Sequence, residues 1–160
     1  MKPTPGVGAV RKLKRRGVGS WAAVVHHAHV TGLPTMTEAA LIYPHQLFAR
    51  HPAVAPERLV WLIEDPLFFG NDPRWPAAMH RQKLVLHRAS MKAYAAELET
   101  GGHRVHYVEA PVGSSIDSAG LLDRTLPEDI LTLHAADPAD WVLGRRLDRF
   151  ARSRRRSTDR

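Results

Sequence analysis

Three places in the sequence gather side chains that could do chemistry: His45-Gln46, Glu64-Asp65, and His80 with Lys83. Each of the first two pairs follows a short apolar run, so polar groups appear where a strand would leave a sheet. In an open parallel sheet a ligand sits there, outside the carboxyl ends of the strands, and Glu109 closes a further run in the same way. The third place opens a long segment free of helix breakers. His80, Arg81 and Lys83 put positive charge in the first turns of a helix, where the macrodipole disfavours it, so an anionic or polyhydroxylated partner is expected. A phosphate, a sugar-alcohol chain or the Glu64-Asp65 pair itself would serve. His80, Lys83 and His87 share a face by their spacing of three and seven. For Glu64-Asp65 the plainer alternative is turn chemistry ahead of Pro66. These residues suit binding rather than bond making, and no catalytic or metal-ligating residue is assigned. His26, His27 and His29 cluster in a segment without periodicity, and His103 and His106 lack a helical metal spacing.

The elements that must position these groups follow from hydrophobic period. Residues 39–43 (AALIY) end at Pro44 and residues 58–63 (RLVWLI) end at Glu64-Asp65-Pro66. Both read as strands buried on both faces, as in a parallel sheet. Residues 77–100 run unbroken to Gly101-Gly102, a helix terminator. On that helix Leu84, His87, Met91, Tyr94, Ala95 and Leu98 form an apolar stripe. Residues 103–108 alternate and read as a third strand, which makes a βαβ unit. A short helix within 114–126, a fourth strand over 129–134 and a final helix over 139–151 complete the pattern. That last helix is expected to be capped by Asp137, with Pro138 at its first position. The expected fold class is α/β: a single domain with a Rossmann-like parallel sheet flanked by helices, over residues 37–148. A disordered basic leader (1–36) and a basic tail (149–160) flank it, with Met36 as a candidate start.

Composition narrows the function. The absence of cysteine excludes disulfides, a thiolate zinc site and a Cys-ligated cluster, and fits a cytoplasmic setting. No apolar run approaches the roughly 20 residues that span a bilayer, and Arg15-Arg16 lacks the flanking pattern of an export signal, so no membrane partner is expected. The net charge of +7 divides as +6 over residues 1–35, +5 over residues 149–160 and −4 between them. With the basicity in the tails, nucleic acid is expected only as a weak partner through those tails. No GxGxxG turn, GxxxxGK[ST], HExxH or GxSxG is present, which removes support from dinucleotide and P-loop readings.

Residues 41–48 (LIYPHQLF), 62–69 (LIEDPLFF) and 80–92 (HRQKLVLHRASMK), in that order, resemble the N-terminal domain of the deoxyribodipyrimidine photolyase-related proteins. These belong to the cryptochrome and photolyase superfamily, and the resemblance runs from about residue 39 to residue 147. It implies an antenna domain that holds a small-molecule chromophore of the ribityl-lumazine type and passes excitation to a flavin. Relatives carry FAD, and some an iron-sulfur cluster, in a helical C-terminal half that this sequence does not contain. FAD, the cluster and repair chemistry are therefore not expected of this chain alone, which reads as a truncated relative. The resemblance places His45, Gln46, Glu64 and Asp65 at the chromophore, with His80 and Lys83 nearby. His45 departs from the family, in which many members carry an acidic residue there. A sheet face that normally docks on the helical half would be exposed, so self-association or a separate flavin-domain chain is expected. Two rival functions stay open on the residues alone. One is a stand-alone nucleotide-binding α/β enzyme with Glu64-Asp65 on a metal and Lys83 on phosphate. The other is an adaptor that touches nucleic acid through its tails.

Overall fold

A computed structural model describes residues 10–14, 37–111 and 115–156. Five strands form one sheet: β1 (Val10–Lys14), β2 (Glu38–Ile42), β3 (Leu59–Ile63), β4 (Val105–Val108) and β5 (Thr132–Ala136). Four helices accompany them: α1 (Pro66–Phe69), α2 (Arg81–Thr100), α3 (Ser118–Thr125) and α4 (Trp141–Arg156). The strand order is β1-β5-β2-β3-β4, with β5, β2, β3 and β4 parallel and β1 antiparallel on the edge of β5. The chain thus moves outward from β2 through β3 to β4, then returns to the other side of β2 as β5. That reversal makes the gap between β2 and β5 the topological switch point of the sheet.

Alternation along each strand decides which layer a residue enters. Leu41, Trp61, Ile63, Leu133 and Ala135 face α3 and α4, where Leu121, Leu122, Leu143, Leu147 and Phe150 complete one core. Ile42, Val60 and Leu62 face the opposite way and pack against Met91, Tyr94 and Ala95 of α2. Only the second half of the predicted α2 stripe lies on the sheet. Leu84 and His87 sit where α2 overhangs the sheet end, and Val85 and Leu86 are exposed. The helix ends as its glycines require. His103 donates its N–H to Leu98 O and Gly102 to Glu99 O, both at 2.9 Å, with Gly102 at a φ of 84°, the paired bonds of a Schellman close.

The structure moves several expected boundaries. The helix read over residues 77–100 starts at Arg81, because His80 is its N-cap and Gln82 donates its N–H to His80 Nδ1 at 3.3 Å. The last helix starts at Trp141, because Asp140 rather than Asp137 accepts from the Leu143 N–H, at 2.8 Å. It also continues to Arg156, so residues 149–156 of the supposed tail are helical. The fourth strand shifts to Thr132–Ala136. The largest correction concerns the leader: Val10–Lys14, expected to be disordered, pairs residue for residue with β5. Arg11 anchors it by ion pairs to Asp137 and Asp148. The His26–His29 cluster, Arg15-Arg16 and Met36 lie outside the described residues.

Candidate functional site

The neighbours Glu64 and Asp65 leave β3 on opposite faces, as the period of two demands. Glu64 follows the α2 side and is fully buried. Its Oε1 accepts from Arg88 Nε and from the Tyr107 hydroxyl, both at 2.7 Å; its Oε2 accepts from Arg88 Nη2 at 2.5 Å and the Ala110 N–H at 2.9 Å. Burial raises the carboxyl pKa, but these donors more than offset it, so the group lies below its ordinary range. Four donors saturate a carboxylate. Glu64 therefore ties β3, β4 and α2 together and has nothing left to offer a ligand or metal. Asp65 turns the other way, toward α3 and α4. Its Oδ1 accepts from the Leu67 N–H and the Ser118 hydroxyl, both at 2.9 Å, which caps α1. Its Oδ2 is buried without a partner, and burial pushes the carboxyl up to about 6 despite those bonds and nearby Arg146.

Beyond Arg88, the overhang of α2 leaves a groove of about 530 Å³ against the end of α1 and the chain after β4. Phe69, Leu84 and Val85 form its apolar walls, and Asn71, Arg81 and Arg88 its polar rim. A tight left-handed turn shapes the floor. Gly70 takes a φ of 78°, and a Cβ there would collide with the Ala77 carbonyl and the Met79 side chain, so only glycine closes α1 at this point. The next residue, Asn71, donates from Nδ2 to Pro111 O at 2.6 Å, while its Oδ1 is buried with no partner. Such an oxygen invites a donor from a bound molecule or water. The volume falls within the roughly 300–1,000 Å³ usual for small-molecule sites. His80 and Lys83 stand on the first turn of α2, both exposed, and neither they nor Arg81 form an ion pair among the described residues. The expected neutralisation by Glu64-Asp65 does not occur at the helix entry, because Glu64 meets Arg88 two turns further on.

His45 and Gln46 belong to a third place, the switch point. Gln46 spans it by donating from Nε2 to Ala136 O at 3.1 Å, and its Oε1 is buried without a partner. The His45 ring packs on Phe68 with centroids 4.7 Å apart. The six residues singled out in the sequence thus divide among two sheet faces, a helix entry and a switch point rather than lining one cavity. Of the groove residues, Asn71 and Phe69 were not singled out in the sequence, and Arg81 only for its charge at the helix entry. The signal available for Asn71 was its position directly after a glycine that closes a capped turn.

A family model described as deoxyribodipyrimidine photo-lyase-related protein matches residues 40–159, three quarters of the chain. The chain belongs to that family. No curated protein matches it. All six expected site residues and the whole of the groove lie within the photolyase-related match, whereas β1 lies ahead of it. Of the Glu64-Asp65 pair that the rival reading of a nucleotide enzyme puts on a metal, Glu64 is saturated, whereas Asp65 keeps a partnerless Oδ2. No group of three metal-ligating side chains occurs among the described residues of this photolyase-related protein. Nor is any helix among them long and apolar enough to cross a membrane.

Proposed function

We propose that this photolyase-related domain holds a ribityl-lumazine antenna chromophore in the groove between α1 and the entry of α2. The observation that carries the reading is an apolar groove of about 530 Å³ rimmed by Asn71, Arg81 and Arg88; the partnerless Asn71 Oδ1 is itself buried, so contact with it needs the side chain to turn outward. A lumazine ring offers an apolar edge for Phe69, Leu84 and Val85, ribityl hydroxyls for Arg81, Lys83 and His80, and an imide N–H for Asn71 once that side chain turns outward. The bound chromophore would supply light absorption and pass excitation to a flavin. That flavin would be held by a helical half of the kind the resemblance implies, on the same polypeptide or a separate one. His45 and Gln46 are the other place where a ring could rest, but the free oxygen of Gln46 is shielded from solvent, so contact there needs the 44–48 turn to yield.

Absorbance and fluorescence titration of the chain with a ribityl-lumazine and, separately, with FAD tests this. The expected result is lumazine binding without FAD binding. Val85→Asp should weaken it at least tenfold, because a charge enters the apolar wall at an exposed position that costs the fold little. If the lumazine does not bind, the antenna reading fails. If it binds and responds to His45→Ala but not to Val85→Asp, the antenna reading stands and its seat moves to the switch point.

A further inference from the structure

A second surface, on the far side of the sheet from that groove, has a composition the antenna reading does not use. Trp75 and Trp141 are exposed by 56% and 67%, and together with Arg74, Arg145, Arg146 and Arg149 they line a hollow of about 200 Å³. No carboxylate lines it. Arg146 is spoken for: Nη2 donates to Asp72 Oδ1 at 2.9 Å, and Nη1 reaches Asp72 Oδ2 and, at 3.0 Å, Ser118 Oγ. Arg74, Arg145 and Arg149 form no ion pair among the described residues. We propose that this face binds single-stranded nucleic acid, stacking a base on Trp75 and Trp141 while its phosphates run along Arg74, Arg145, Arg149 and Arg152.

Three properties of this face suit it to a single strand. The first is preorganisation. Asp72 Oδ1 accepts the N–H groups of Arg74 at 3.0 Å and Trp75 at 2.9 Å, and the same carboxylate is gripped by Arg146. The loop that presents Trp75 is therefore fixed to the helix that presents Trp141, and little order has to be imposed on binding. The second is electrostatic. Arg145, Arg149 and Arg152 recur at intervals of four and three, which sets them on one face of α4 over roughly 10 Å of helix. All three are exposed, and an unneutralised row of guanidinium groups calls for a polyanion. The third is chemical. The Arg145 guanidinium already lies 4.8 Å from the Trp141 ring centroid, and aromatic rings beside arginine form the usual platform for an unpaired base. The stacked bases of a duplex offer no free face to the tryptophans, so a single strand is preferred. The charge count by segment hid this surface. It assigned Arg149–Arg152 to a tail and Arg74 to an acidic middle, whereas the fold joins them.

The test uses the full chain and a fluorescein-labelled oligothymidine, read by anisotropy over a series of salt concentrations, beside a duplex of equal length. Single-strand binding is expected to weaken with salt at a slope of about −0.7 for each phosphate held. Trp75→Ala with Trp141→Ala should weaken it roughly 5- to 150-fold at unchanged slope, and the Phe pair should restore most of the loss. Arg145→Ala with Arg149→Ala should flatten the slope by about 1.4. All four residues are exposed, so an unchanged urea midpoint keeps folding out of the comparison, and lumazine titration of the same variants should be unaffected. The proposal is overturned if the tryptophan pair leaves affinity unchanged, if the duplex binds as tightly, or if only Arg154–Arg156→Ala abolishes binding. It is equally overturned if no oligonucleotide binds and the tryptophan pair instead dissolves a self-association of the chain, for the patch would then be a protein contact.

Discussion

Asp65 is the residue whose surroundings make the sharpest demand on solution conditions. Its carboxyl is pushed from the ordinary aspartate range to about 6 by burial, so the folded chain holds this proton more tightly than the unfolded one. The stability it contributes is therefore fully present below pH about 4 and is lost as the pH rises through about 6, a loss on the order of 3 kcal/mol. Glu64 and Asp72 act in the opposite sense, since their donors hold them below their ordinary range and their contribution is lost as the pH falls below about 4. Asp65→Asn keeps the Oδ1 that caps α1 and bonds Ser118 but removes the charge. The urea midpoint of this variant should stay level between pH 5 and 7.5 while that of the parent declines; parallel declines would show that some other group is responsible. How differently the two adjacent carboxylates behave was legible in part. A strand period of two places Glu64 and Asp65 on opposite faces, but only the fold shows that Arg88 and Tyr107 wait on one side, whereas on the other Asp65 keeps one oxygen buried without a donor.

At the scale of elements, the join between the Asp72 loop and α4 carries weight out of proportion to its size. Asp72 is wholly buried and Arg146 nearly so, and removing one partner of such a pair leaves a charge in a medium that cannot solvate it. Arg146→Met should therefore cost about 3–5 kcal/mol in urea unfolding at pH 7. Part of that loss should return in acid, where the stranded Asp72 takes up a proton. Replacing both partners, Asp72→Asn with Arg146→Met, should recover part of it, because no charge is then left buried and the amide oxygen still accepts from the Arg74 and Trp75 N–H groups. A single-variant cost below 1 kcal/mol would mean that Asp72 finds another donor. This join could not be read from the sequence, where its partners stand 74 residues apart and each looks like an ordinary surface charge. By contrast β2, β3, β4 and α2 were legible, because their apolar periods are unbroken and Pro44, Pro66 and Gly101-Gly102 mark their ends. The cap of α4 was misread because Asp137 and Asp140 are both sound N-cap residues, and only the Leu143 N–H distinguishes them.

For the molecule as a whole, the unexpected feature is that a polar segment well ahead of the family match closes the sheet. Val10–Lys14 (VRKLK) has no helical or strand period strong enough to announce a strand. Its assignment depends entirely on an edge that the rest of the chain builds. Without it, β5 would present a row of open backbone groups between Thr132 and Ala136, a template for pairing with another chain. β1 covers that row by antiparallel pairing over five residues, and its exposed Lys12 adds a charge that discourages further strands. Arg11 adds a second tie through Asp137, just ahead of α4, and Asp148, midway along it. A chain begun at Met36 would lose both. It should unfold at lower urea concentration, by about 2 kcal/mol or more given the number of backbone bonds removed. It should also gain mass with concentration in light scattering, as exposed β5 edges pair. Substituting Arg11→Ala in the full chain separates the two effects, since it removes the ion pairs but leaves the edge covered, and it should lower stability modestly without inducing association. A Met36-initiated chain that stays monomeric at the parent's midpoint would show that β5 needs no cover and that the strand contributes nothing to the fold.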